Sequence, residues 1–308
     1  MVPLLVNLQR QLATSGLQRL VALYRHRAWR YEVLSRLVEN VICVDIGAAH
    51  FPHAKWWLFL QSPKTRWLAI DPAHESLNYA KNWRWRCLIE SMPVAVAAET
   101  GRGTLHVTNT PTGSSLLQPR PSLHDDYRYS SQDYSYFFPV SLQQIETVGL
   151  SSLLSRFESD SHFVLKLDTQ GSEFAILSGI SDLFAAQRIL AVECEVSLLH
   201  SPAYQEAPRL WDVVGTMESR GFELLQLDVI EKSATTRAPR GRGIAIEADA
   251  LFVLRREFVM SRDLGLRLQL LCVYATYGLF EEAKLLLRDD QELLNYVEGA
   301  AHPKRLKL

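Results

Sequence analysis

Between about residues 41 and 256 the chain alternates, four times over, a short continuous apolar segment with a stretch of helical spacing. "VICVDI" leads into "HAKWWLFLQ", "RWLAID" into "AHESLNYAKNW", "HFVLKLD" into "GSEFAILSGI", and "RILAVECEV" into "APRLWDVVGTMESRG". Strands that are apolar at nearly every position, rather than every second one, are covered on both faces. The intervening helices supply that cover. The expected architecture is therefore α/β, a mostly parallel sheet with helices on both faces. At 308 residues, 47% of them hydrophobic, the chain has material for such a core.

Two segments flank this unit. Residues 1–40 place Leu17, Leu20, Val21 and Tyr24 at helical spacing and set Arg10, Arg19, Arg25, Arg27, Arg30 and Arg36 against only Glu32 and Glu39. A docked helical extension with a solvated basic face is favoured over a membrane-surface helix. Residues 257–308 carry two helical patterns that meet near Gly278, and one hairpin cannot make a solenoid, so a C-terminal helical cap is expected. Within the central unit, 41–256, "GRGTLHVTN" and "FFPVSLQQIE" read as short β segments around an irregular stretch rich in Tyr, Ser and Asp.

Composition narrows the partners. A formal net charge of −1 gives no overall field to draw in nucleic acid or an anionic membrane. The opening "MVPLLVNLQRQL" lacks the pattern of a signal peptide, and "LGLRLQLLCVYATYGLF" is interrupted by Arg267 and Gln269, so no spanning helix is expected. Cys43, Cys87, Cys194 and Cys272 form no CxxC pair and read as buried free thiols. A cytoplasmic protein without a nucleic-acid partner is the expectation.

The strand "VICVDI" ends in Gly47-Ala48-Ala49-His50-Phe51, a turn with one glycine. A dinucleotide turn needs several, so that the backbone can approach the pyrophosphate, and Ala49, Phe51 and His53 stand where further glycines would fall. No phosphate loop occurs elsewhere. A nucleoside ligand without phosphate, such as S-adenosylmethionine, asks less of the turn. Asp45 is then placed to meet its ammonium group directly or through water. On the second strand, "RWLAIDPAHESL" puts Asp71 where a carboxylate reaches ribose hydroxyls, with Pro72 after it; the rival reading is a helix cap. In "FVLKLDTQGSEFAILSGI", Asp168 closes a strand, Gly171 permits a turn and Glu173 enters the next helix, where a carboxylate suits the dipole.

The motifs "VDIGAA", "AIDPAHESL", "GSSLLQP", "LKLDTQGSEFAIL" and "AVECEV", in that order, resemble the FkbM-type S-adenosylmethionine-dependent methyltransferases over roughly residues 40–256. The most specific piece is Lys166-Leu167-Asp168-x-Gln170-Gly171-x-Glu173. The resemblance implies a class I, Rossmann-like methyltransferase fold with a seven-stranded sheet, and O-methylation of a hydroxyl on a sugar, glycan or related small molecule. It assigns Asp45, Gly47 and Ala48 to the cofactor turn, Asp71 and Pro72 to the ribose side, and Asp168 to the site at the end of strand four. The family turn resembles D-x-G-A-N-x-G; here Ala49 replaces the Asn and Phe51 the last Gly.

Methyl transfer needs alignment of a hydroxyl oxygen with the methyl carbon, and a base to take the proton. Asp168 is the first candidate base and Glu193 the second. Glu193 and Glu195 alternate along "AVECEV" and share one strand face. A divalent metal on Asp168 and Glu193 is ranked below a metal-free site. His50 and His53 lack a third ligand at a telling spacing and read as surface or packing residues. "NWRWRC" could stack a base or sugar or simply form a strand, and Arg237, Arg240 and Arg242 lie in a loop able to close over an anionic acceptor or simply to face solvent. Two other classes stand as alternatives: a catalytically silent methyltransferase-like scaffold, suggested by the altered turn, and a nicotinamide-dependent reductase, disfavoured by the missing glycines.

Overall fold

The structure is a computed structural model that describes residues 34–36, 38–48, 53–73, 85–125, 135–232, 244–260, 262, 264–291 and 294–295. Among the described residues, ten strands, numbered in chain order, form two sheets. The larger joins β1 (Val41–Ile46), β2 (Arg66–Ile70), β3 (Leu88–Met92), β7 (His162–Leu167), β8 (Ile189–Ser197), β9 (Phe222–Lys232) and β10 (Ile244–Leu254) in the order β3-β2-β1-β7-β8-β10-β9. Pairing is parallel from β3 through β8, and β10 runs antiparallel to both β8 and β9. This is the Rossmann-like, mostly parallel seven-stranded sheet that the sequence implied.

Burial follows the apolar runs. Every residue of β1 is buried and so is nearly all of β8, because both faces are covered. Among the described residues, α1 (Trp57–Leu60), α3 (Glu173–Ser178) and α5 (Leu210–Ser219) lie in the expected helical stretches, α2 (Leu150–Leu154) and α4 (Ser181–Ala185) were not foreseen, and residues 74–83 of the second expected helix lie outside the described residues. β9 and β10 were not foreseen; they pair antiparallel on either side of residues 233–243, which lie outside the described residues. The two short β segments do form. They are β5 (Gly101–Thr108) and β6 (Pro139–Gly149), which pair antiparallel in a side sheet completed by β4 (Ala95–Ala97) beside β6.

The C-terminal hairpin is α7 (Leu264–Tyr277) and α8 (Phe280–Leu286), which follow the short α6 (Glu257–Met260). Gly278 joins them with φ +77°, the left-handed conformation that ends helices and that glycine adopts without strain. α7 is buried almost all round, since Leu270, Leu271, Cys272, Val273 and Ala275 join the same core as the sheet. Its end also ties down the segment after β1: Trp56 donates its indole N–H to the Tyr277 hydroxyl at 3.0 Å, and Thr276 Oγ1 donates to the Lys55 carbonyl. Of the N-terminal extension, the described part is a helical turn at 34–36, with Leu34 buried in the core. The four cysteines are free and buried. No helix among the described residues is long and apolar enough to cross a membrane.

Candidate active site

Strand register builds the site. Asp45 of β1 lies beside Lys166 of β7, and Lys166 beside Glu193 of β8, so three ionisable side chains rise in one row from one sheet face. Two residues further on, Glu195 stands opposite Asp249 of β10, and Asp168 follows directly on β7. β1, β7 and β8 are parallel, so the row lies towards their carboxyl ends, where open α/β sheets bind ligands.

Above this face, the 3-10 helix Ala54–Trp56 brings two nitrogen groups down onto Glu193. His53 Nε2 lies 2.9 Å from Glu193 Oε2, and Lys55 Nζ donates to Glu193 Oε1 at 3.1 Å and to Asp228 Oδ2 at 2.8 Å. Glu193 is 2% exposed. Burial alone would raise its pKa, yet His53 and Lys55 outweigh that and hold the carboxylate far below its usual range. Glu195, two residues on, has no such compensation: burial, then the charges of Asp168 and Glu247, push it well above the carboxylate range. Its contact is the Gln170 amide at 3.3 Å.

Asp168 is the more open carboxylate, 40% exposed on its side chain. Burial opposes its ionisation, but Lys166 Nζ at 3.0 Å and the Gln170 amide at 3.0 Å lower its pKa overall. Asp45 is different. Its Oδ1 is buried without a hydrogen-bond partner, 4.0 Å from Lys166 Nζ, and burial raises its pKa. A buried oxygen left unsatisfied costs stability unless a ligand donates to it. The ammonium of an amino-acid ligand is a donor of the right kind.

Gly47 shows why the turn keeps one glycine. It sits at φ +81°, and a Cβ there would come within 1.9 Å of the Asp168 carbonyl oxygen. The turn therefore presses the ends of β1 and β7 together, while Gly47 and Ala48 donate their N–H groups to the Ile70 carbonyl. Asp71 follows β2 as predicted, and its Oδ1 accepts the Ala73 N–H at 2.7 Å, a local turn contact. Pro72 is exposed beside it. Glu173, buried at the start of α3, accepts the Thr169 N–H at 2.7 Å and closes the turn after β7, in keeping with the structural reading of that residue.

Asp45, Gly47, Ala48, Asp168 and Glu193 are thus brought together, and Asp71 and Pro72 stand at the end of the neighbouring strand. The segment "TPTGSSLLQP" also packs here: Ser115 Oγ donates to the Gln170 carbonyl at 2.8 Å. Sequence reading passed over Tyr204, which donates to the Gly113 carbonyl and to Gln170 Oε1, and gave His53 and Lys55 no place beside Glu193. The His53–Glu193 contact joins residues 140 apart, which no local pattern could reveal. A metal pair on Asp168 and Glu193 does not fit, because His53, Lys55, Lys166 and Gln170 engage their oxygens. Among the described residues, no three His, Cys, Asp or Glu side chains gather to hold a metal ion. Ala49, His50, Phe51, Trp83, Arg84, Arg237, Arg240 and Arg242 lie outside the described residues.

A family profile described as the methyltransferase FkbM domain matches residues 45–224, which runs from the Asp45 turn through β8 and into β9. No curated protein matches the chain. A crystal structure from Thermobifida fusca YX, at 1.95 Å resolution and carrying a provisional methyltransferase name, aligns at a TM-score of 0.33 and 10% identity, over 79% of this chain and 81% of that one. The profile match covers more than half of the sequence and contains all seven site residues predicted from it, and on that ground the chain belongs to the FkbM methyltransferase family.

Proposed function

We propose that the protein is an S-adenosylmethionine-dependent O-methyltransferase whose acceptor is a hydroxyl of a sugar, glycan or related small molecule. Family membership supports methyl transfer. The observation that carries the cofactor assignment is the unsatisfied Asp45 oxygen at the end of β1, next to a turn that only glycine fits. Asp45 would receive the ammonium, with the Lys166 cation between it and Asp168 offsetting their repulsion. Asp71 would receive the ribose hydroxyls. When bound, S-adenosylmethionine supplies a methyl group made electrophilic by its sulfonium. Asp168, ionised and partly open, would accept a hydrogen bond from the acceptor hydroxyl and orient it. Lys166 and Gln170 favour its ionised form, which suits that orienting role. The buried free thiols fit a reducing, cytoplasmic setting.

Calorimetric titration tests this reading. S-adenosylmethionine and S-adenosylhomocysteine should bind and NADH should not. Asp71→Ala should then weaken S-adenosylhomocysteine binding by about 1.5–3 kcal/mol, the worth of hydrogen bonds to a charged group. Unchanged affinity would remove the ribose assignment. Absence of binding by any of the three would favour the silent scaffold, and NADH binding alone would favour the reductase.

A further inference from the structure

We propose that His53 is the general base of the methyl transfer, with Glu193 as the residue that positions it; this rests on the methyltransferase reading above. Glu193 itself is closed to an acceptor, since it is buried and both of its oxygens are engaged. What it does with that burial is fix the imidazole. An ionised carboxylate only accepts hydrogen bonds, so the 2.9 Å contact requires a proton on His53 Nε2. In the neutral ring the lone pair then lies on Nδ1, and among the described residues nothing hydrogen-bonds that atom. A nitrogen base oriented through its other nitrogen by a buried carboxylate is the arrangement that activates hydroxyl nucleophiles on unrelated folds.

The surroundings hold the ring in place. The Trp56 ring meets it edge-on at 5.2 Å, Tyr277 lies 6.3 Å away, and the Trp56 N–H donates to the His53 carbonyl at 3.0 Å. Lys55 keeps Glu193 ionised from the other side. His53 is 11% exposed, and its contact with Glu193 sets the ring beside the row of Asp45, Lys166 and Glu193. That row holds Asp45, assigned to the cofactor, and Asp168, assigned to the acceptor, follows on β7. In the step itself, the acceptor hydroxyl gives its proton to Nδ1 as its oxygen forms the bond to the methyl carbon. The carbon–sulfur bond breaks with its electron pair staying on sulfur. The positive charge thus leaves the sulfonium and appears on the imidazole ring, where Glu193 balances it until the proton passes to water.

The test needs no acceptor. Long-range proton–nitrogen NMR on the full-length protein with labelled histidine reads the protonation of both ring nitrogens, at pH 8, without and with S-adenosylhomocysteine. The His53 signals are identified by their loss in His53→Gln, or by correlation to the assigned backbone of the wild type if that variant does not fold. A neutral ring carrying its proton on Nε2, with signals that shift when S-adenosylhomocysteine binds, is expected. Glu193→Gln should lose the single tautomer and give a mixture. A doubly protonated ring, a proton on Nδ1, or signals that stay still while calorimetry shows S-adenosylhomocysteine bound would each overturn the base assignment and leave the methyltransferase reading intact. No calorimetric binding at all would remove that reading, and the base role with it, whatever the state of the ring.

Discussion

Glu193 and Glu195 are the same residue type, two positions apart on the same face of β8, yet they ionise in opposite directions. The region around Glu193 receives His53 and Lys55 from the segment after β1, and that segment is held by Trp56, Thr276 and the C-terminal helix α7. The region around Glu195 faces Asp249, Glu247 and Asp168, and its hydrogen bond comes from a neutral amide. Burial pushes both groups the same way. What separates them is whether another element brings a cation to the row, so charge on this sheet is decided by the cover and not by the strand.

The strongest way to break the contrast is to remove the cation. Lys55→Met should destabilise the protein by about 3 kcal/mol in urea unfolding at pH 7, because it strips the buried Glu193 carboxylate of its lysine cation. A loss of only a few tenths would mean that His53 alone suffices. An effect of intermediate size is expected in acid. The depressed pKa of Glu193 contributes stability that is fully present above its ordinary value of 4.5 and is lost progressively as pH falls below it. Asp168, also lowered, adds to the loss below 3.8. Unfolding free energy measured from pH 5 downward should therefore fall less steeply in Glu193→Gln than in the wild type, and parallel slopes would sink the comparison. The smallest effect has the opposite sign. The raised pKa of Glu195 means that the folded state binds more protons than the unfolded one above 4.5, so this group costs stability as pH rises. Glu195→Gln should stabilise at pH 8 by about 1 kcal/mol, the low end of what removing an uncompensated buried charge returns. A destabilised variant would show that Glu195 has a cationic partner in solution.

Much of the fold was legible in advance because β1, β2, β7 and β8 are short apolar runs that only a doubly covered sheet explains. β9 and β10 escaped because polar residues such as Asp228 and Asp249 interrupt them, and their pairing depends on contacts between segments that are separate in the sequence. The site was legible in its carboxylates, which sit at strand ends where a local pattern marks them. Its nitrogen groups were not. His53 and Lys55 follow a turn with no spacing that relates them to Glu193, and His53 reads locally as a surface or packing residue.

The sequence by itself determined the alternation of strand and helix, the glycine that must end β1, and the placing of Asp45, Asp71 and Asp168 at strand ends, because each depends on neighbours within a few residues. Only the tertiary structure decided which of these groups carry charge and which residue can take a proton. Those properties follow from burial and from cations delivered by distant elements, and the field inside a protein is set by what lies within a few ångströms, whatever its distance along the chain.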